Sequence, residues 1–100
     1  MATPFHVLIF FEARPGKGEA LGRILTELIA PTRVEHGCRY YEPFSDVEAP
    51  EKFTVIEGWD TPEQWQNHLK ATHVAKALTQ IKDEDLLTQP FKAQQLRSLA

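Results

Sequence analysis

Cysteine is almost missing from the chain: Cys38 is the only one in 100 residues. A disulfide framework within the chain is thereby excluded, and so is a cysteine-rich zinc site. Long apolar runs are missing as well. The longest, Val7 to Phe11, falls far short of the about 20 residues that a membrane-spanning helix needs. Positive charge is not in excess, with eleven Lys and Arg against fourteen Asp and Glu and a formal charge of -3. Without a basic stripe, neither nucleic acid nor a membrane is an expected partner. The start, Met1-Ala2-Thr3-Pro4-Phe5-His6, lacks the charged stretch and long apolar segment of a secretory signal, so a reduced cytoplasmic setting is the expectation. Repeats, low-complexity tracts and linkers are absent too, and residues 1–100 read as one domain.

What is present alternates regularly between two periods. Phe5 to Ala13 reads as a strand rich in β-branched and aromatic residues, stopped by Arg14-Pro15-Gly16. Leu21, Ile24, Leu25, Leu28 and Ile29 then form one apolar helical stripe. Pro31 either kinks that helix or opens a fresh turn, and Gly37 suits a left-handed stop. Cys38 to Phe44 and Lys52 to Trp59 give two more strands, separated by a polar turn containing Pro50. Thr61, Pro62 and Gln64 spell a capping box with proline at the first helical position. Trp65, His68 and Leu69 share a face of this helix, which should break at Ala71-Thr72 before a further helix carrying Val74, Ala77, Leu78 and Ile81. That helix should end at Asp83-Glu84-Asp85, where the macrodipole disfavours negative charge. Thr88 to Leu99 reads as the last strand. The order β-α-β-β-α-β specifies an α+β, ferredoxin-like fold, an antiparallel sheet with helices on one face.

One-sided cover has a consequence. In the first strand Phe5, Val7, Ile9 and Phe11 point one way, and His6, Leu8, Phe10 and Glu12 the other. The helices can cover only one row. Leu8 and Phe10, with Tyr40 and Phe44 opposite Tyr41 on the second strand, would stay wet at about 1.5–3 kcal/mol for each large side chain. Such a patch marks an interface, and a homodimer with open sheet faces packed together is expected.

Of the chemistry-bearing residues, Glu57 is buried if its strand face is the inner one. Glu57 shares a strand face with Phe53, Val55 and Trp59. Desolvation there raises a carboxylate pKa and suits a general base, or else Glu57 makes a structural bond to Arg33 or His68. His68 belongs to the inward helical face and His73 opens the next helix. Five residues apart on one continuous helix, their rings would diverge by about 140°, so they meet only if the chain bends at Ala71-Thr72. The i, i+4 spacing of helical metal ligands is absent, no third ligand stands at a convincing position, and no metal is expected. Arg33 either holds an anionic substrate oxygen or pairs with Glu35 or Glu27, and Tyr41 and Trp59 either wall an aromatic ligand or simply fill the core. Cys38 reads as an inert small hydrophobe. Gly16-Lys17-Gly18 lacks the spacing of a phosphate-binding loop.

Several of these segments resemble the antibiotic biosynthesis monooxygenase (ABM) family. The likeness is carried in order by Arg14-Pro15-Gly16-Lys17, by Ala30-Pro31-Thr32-Arg33-Val34-Glu35-His36-Gly37-Cys38-Arg39-Tyr40-Tyr41-Glu42, by Phe53-Thr54-Val55-Ile56-Glu57-Gly58-Trp59 and by His68-Leu69-Lys70-Ala71-Thr72-His73. It weakens beyond Lys82. The resemblance implies a dimeric α+β barrel with a pocket between helices and sheet. It also implies O2 chemistry on quinols or polycyclic aromatics without metal or flavin, or isomerase chemistry on signal-molecule derivatives. The haem-degrading branch carries an Asn on the first strand and a Trp where this chain has His68, and neither is present. The expected activity is a cofactor-independent monooxygenase acting on a reduced aromatic or quinol-type small molecule with O2. His73, Glu57 and His68 would be catalytic, and Trp59, Tyr41 and Arg33 would bind substrate. The alternatives are an isomerase or degrading enzyme for a small signal metabolite, and a non-catalytic dimeric ligand-binding or stress protein.

Overall fold

A computed structural model describes residues 4–100 of the chain. Four strands, β1 (Phe5–Glu12), β2 (Cys38–Ser45), β3 (Lys52–Trp59) and β4 (Lys92–Arg97), form one antiparallel sheet in the order β2-β3-β1-β4. The helices are α1 (Gly18–Glu27), α2 (Ile29–Arg33), α3 (Pro62–Leu69) and α4 (Thr72–Asp83). This is the ferredoxin-like arrangement expected, with both helical arms split.

Each break has a local cause. Pro31 has no N–H to donate to the carbonyl of Glu27 four residues earlier, so α1 ends at Glu27 and a short second helix carries the proline. Gly37 adopts the left-handed conformation at φ +86° and turns the chain into β2. Lys70 and Ala71 separate α3 from α4, and Ala71 is extended at ψ 147°. The capping box at the head of α3 is complete: Gln64 N–H donates to Thr61 Oγ1, and Thr61 N–H donates to Gln64 Oε1.

The core lies between the helices and one sheet face. Val7, Ile9 and Phe11 of β1, Val55 and Trp59 of β3 and Tyr41 of β2 are buried against Leu21, Ile24, Leu25, Trp65, Ala77 and Ile81. Two expectations need correction. Leu69 is 37% exposed, because it closes α3 at the turn and His68 takes the inward place. The last strand is shorter than Thr88 to Leu99: Pro90 cannot donate to a ladder, and pairing with β1 runs from Lys92 to Arg97.

Candidate functional site

The register of the sheet sets one row across its inner face. Tyr41, Glu57 and Val7 are direct cross-strand partners, which places the Glu57 carboxylate mid-sheet between an aromatic and an aliphatic neighbour. It is 1% exposed. Its oxygen Oε1 accepts a hydrogen bond from Trp59 Nε1 at 3.0 Å and lies 3.7 Å from His68 Nε2. Burial pushes the pKa of this carboxyl up, and the Glu35 carboxylate adds to the rise. The neighbouring His68 and the Trp59 hydrogen bond oppose that shift without cancelling it. Of the two structural partners expected for Glu57, the fold provides His68. Trp59 is the partner that the sequence reading missed.

His68 comes down from α3 onto this acid. Its ring is buried, stands with its centroid 4.9 Å from that of Trp59, and tilts against Tyr41. The extended residue Ala71 then redirects the chain, so that His73 in the first turn of α4 swings back toward His68 with ring centroids 6.0 Å apart. The divergence expected of a continuous helix is thus removed by the bend.

Glu35 joins the two imidazoles. It sits in the turn between α2 and β2, held by bonds from its own N–H to Thr32 O and from Cys38 N–H to its carbonyl. Its Oε2 accepts from His68 Nδ1 at 2.6 Å and from His73 Nε2 at 2.8 Å. A carboxylate offers only lone pairs, so both of those ring nitrogens carry their protons. The resulting series His73–Glu35–His68–Glu57 runs from two partly exposed side chains, at 25% and 17%, to two buried ones at 4% and 1%. Its donor atoms at Glu35, His68 and His73 all lie within 4.8 Å of one another. The missing third ligand of the sequence reading is therefore Glu35. It stands 33 residues before His68, a separation that no helical or strand period connects.

The other candidates fall in different places. Arg33 is half-exposed, and its guanidinium donates to Tyr41 O and pairs with Glu42 at 3.0 Å, not with Glu35, Glu27 or Glu57. Glu42 is nearer because β2 runs back beside α2. Tyr41 is 2% exposed, and its hydroxyl donates to Leu25 O at 3.4 Å. Trp59 is fully buried. Cys38 has its thiol pushed up to about 11 by burial, with Glu57 and Glu35 adding to the rise, which keeps it protonated and unreactive at neutral pH.

Two hollows flank α1. One of about 370 Å³ opens between α1 and α4, with His73 in its wall beside Arg23, Ile24, Lys76 and Ala77. The larger, about 670 Å³, lies between α1 and the turn after β2 and is lined by Gly22, Leu25, Pro43, Pro50 and Phe53. The smaller one reaches the ionisable series and the larger does not. No helix among the described residues is long and apolar enough to cross a membrane.

Known proteins share this fold. The Rv0793 protein of Mycobacterium tuberculosis, provisionally named a monooxygenase, is 30% identical over 90 residues, covering 90% of this chain and 86% of its own. The crystal structure of PA3566 from Pseudomonas aeruginosa superposes with a TM-score of 0.89 at 35% identity, covering 100% of this chain and 98% of that one. A structure from Nitrosomonas europaea, titled a provisional antibiotic biosynthesis monooxygenase, reaches a TM-score of 0.91 over 99% of this chain and 93% of its own. Its identity is 15%, a likeness of fold alone. The profile of the antibiotic biosynthesis monooxygenase family itself runs over residues 4–80, from the first strand through the imidazole pair and most of α4. By that match the chain belongs to the antibiotic biosynthesis monooxygenase family.

Proposed function

We propose that the protein is a homodimeric, cofactor-independent monooxygenase that oxidises a reduced aromatic or quinol-type small molecule with O2. The observation that carries this reading is the series in which Glu35 bonds to both His73 and His68 while His68 Nε2 comes within 3.7 Å of buried Glu57, because it runs from a solvent-facing cleft to a carboxyl group in a dry interior. A phenolic or benzylic proton leaves to the series, and the electron-rich carbanion or phenolate is oxidised by O2. The substrate supplies all four electrons that O2 takes up. Two go as it accepts one oxygen atom and two more, with two protons, as the other leaves as water, so that a CH2 becomes C=O or a quinol becomes a hydroxylated quinone. Protein groups orient the anion and hold the displaced proton. His73 faces the cleft and takes the first proton, Glu35 fixes both rings, and His68 passes charge toward Glu57. Arg23 and Lys76, which outnumber the single carboxylate of Glu27 at the same cleft, suit an anionic oxygen of the substrate.

Oxygen uptake by the purified full-length protein with a panel of hydroquinones and anthrone-type compounds tests the reading. Glu57→Gln and His73→Ala should each slow turnover about 10²–10⁴-fold, the usual contribution of a positioned acid or base. Uptake no faster than the spontaneous rate, or equal rates in both variants and the wild type, would overturn it. Turnover that persists without oxygen points instead to acid/base isomerase chemistry at the same groups. One observation favours a non-catalytic ligand-binding role: Trp59 and Tyr41 are packed solid and do not wall either hollow. In that case thermal shifts with the same panel would appear without any turnover.

A further inference from the structure

We propose that Glu35, His68 and His73 form a binding site for one divalent transition-metal ion of the zinc class, with a coordination position left open toward the cleft between α1 and α4. The inference stands apart from the oxygenase reading, since what is measured is bound metal.

Two imidazoles and one carboxylate are a donor set that zinc and its neighbours take readily, and three protein ligands with an open position is a recurring zinc geometry. Here the donors already lie close together. Glu35 Oε2 is 2.6 Å from His68 Nδ1 and 2.8 Å from His73 Nε2, and all three donors fall within 4.8 Å of one another. Bonds of about 2.0–2.2 Å in a tetrahedral site set donor separations near ~3.3 Å. Exchanging the two shared protons for one ion therefore asks the two contacts to Glu35 to widen by roughly 0.5–0.7 Å and the two imidazole nitrogens, up to 4.8 Å apart, to draw together. The parts able to give are on the open side, since Glu35 lies in a turn and its side chain and that of His73 are partly exposed.

The buried side of the site is prepared in the way metal sites usually are. A ligating imidazole is as a rule oriented by a carboxylate on its other nitrogen. His68 presents Nδ1 to the cluster and Nε2 to Glu57 Oε1 at 3.7 Å, while Trp59 holds the same oxygen at 3.0 Å and lies tilted against the ring. Ion access is through His73, which is in the wall of the roughly 370 Å³ cleft. An ion seated there would occupy the nitrogens and oxygen that otherwise share protons, so the metal-bound and proton-relaying states exclude each other.

The test uses the full-length protein, stripped with a chelator and titrated with zinc(II) by calorimetry and with cobalt(II) by visible absorption. One zinc per chain is expected, with intense cobalt bands of a four- or five-coordinate site. His73→Ala and Glu35→Gln should abolish both signals. Glu57→Gln should weaken zinc binding about 10–100-fold, the usual cost of losing an orienting partner. His36→Ala, an exposed imidazole one residue from Glu35 but outside the cluster, should bind zinc as the wild type does. No zinc uptake by the wild type, a pale octahedral cobalt spectrum, or binding that survives both His73→Ala and Glu35→Gln would each overturn the proposal. The wild-type cobalt spectrum decides the matter even where a variant fails to fold.

Discussion

A carboxyl group placed among Tyr41, Val7, Val55 and Trp59 has to lose its hydration, and that loss governs how Glu57 couples to stability. Its pKa is raised in the folded chain above the ordinary value of about 4.3. The native state then holds the proton more tightly than the unfolded chain. That contribution is complete below the unfolded pKa and is lost as pH rises through the native one. Glu57→Gln keeps an oxygen to accept from Trp59 Nε1 and cannot ionise. Urea unfolding from pH 4 to pH 8 should show the variant and wild type nearly equal in acid, with the variant gaining relative stability as pH rises. A difference that does not change with pH would show that His68 and Trp59 fully compensate the buried charge. The inner placement of Glu57 was legible from strand alternation alone. His68 was among the partners expected for it, but Trp59, two residues along the same strand face, was read as a wall or as core filling and is its hydrogen-bond donor as well. Glu35 was read as a surface partner for Arg33 when it is the bridge between two rings. Periodicity reports which way a side chain points on its own element, and it carries no information on which turn will be opposite.

At the scale of elements, α3 is the part that brings His68 to the sheet, and two residues outside its body hold it there. Thr61 and Gln64 close the capping box, while the Gln64 amide lies directly over Gly37, where a Cβ would come within 2.0 Å of it. Gly37 thus serves both the left-handed turn and the approach of α3. Thr61→Ala should cost about 1 kcal/mol, a fall of roughly 4–8 °C in melting temperature for a chain of this size. Gly37→Ala should cost roughly 2–4 kcal/mol, combining an unfavourable backbone region with a steric clash. Thermal unfolding followed by circular dichroism checks both, and a Gly37→Ala variant that melts with the wild type would show that Gln64 simply moves aside. Element boundaries were largely readable because their signals are local: proline at the head of α3, glycine at φ +86°, alternation through β3. The last strand was overextended because Pro90 and Phe91 lie outside the ladder, and edge pairing depends on β1 more than on its own residues.

Considered whole, the molecule has one face of its sheet sealed by helices and the other bare. Phe10 and Phe44 are 41% and 51% exposed on that bare face, and β4 is exposed along nearly its whole length. One polar pair within the face is already satisfied. His6 Nδ1 bonds to the Tyr40 hydroxyl, and the Tyr40 ring lies across Gly58 in a space that a Cβ would fill. That pair can be covered by a flat apolar partner without leaving an orphaned donor. The dimer within the proposed function follows from this asymmetry. Light scattering on the eluting protein should give twice the 11.4 kDa of one chain. Replacing Phe10 and Phe44 together by lysine removes two large side chains worth about 1.5–3 kcal/mol each when buried and sets like charges against each other across a symmetric interface. The double variant should elute as single chains at micromolar concentration, with a lower melting temperature that no longer rises with protein concentration. A wild-type mass of one chain, with the double variant equally stable, would mean that the bare face stays in water and that the cleft beside His73 is complete within one copy.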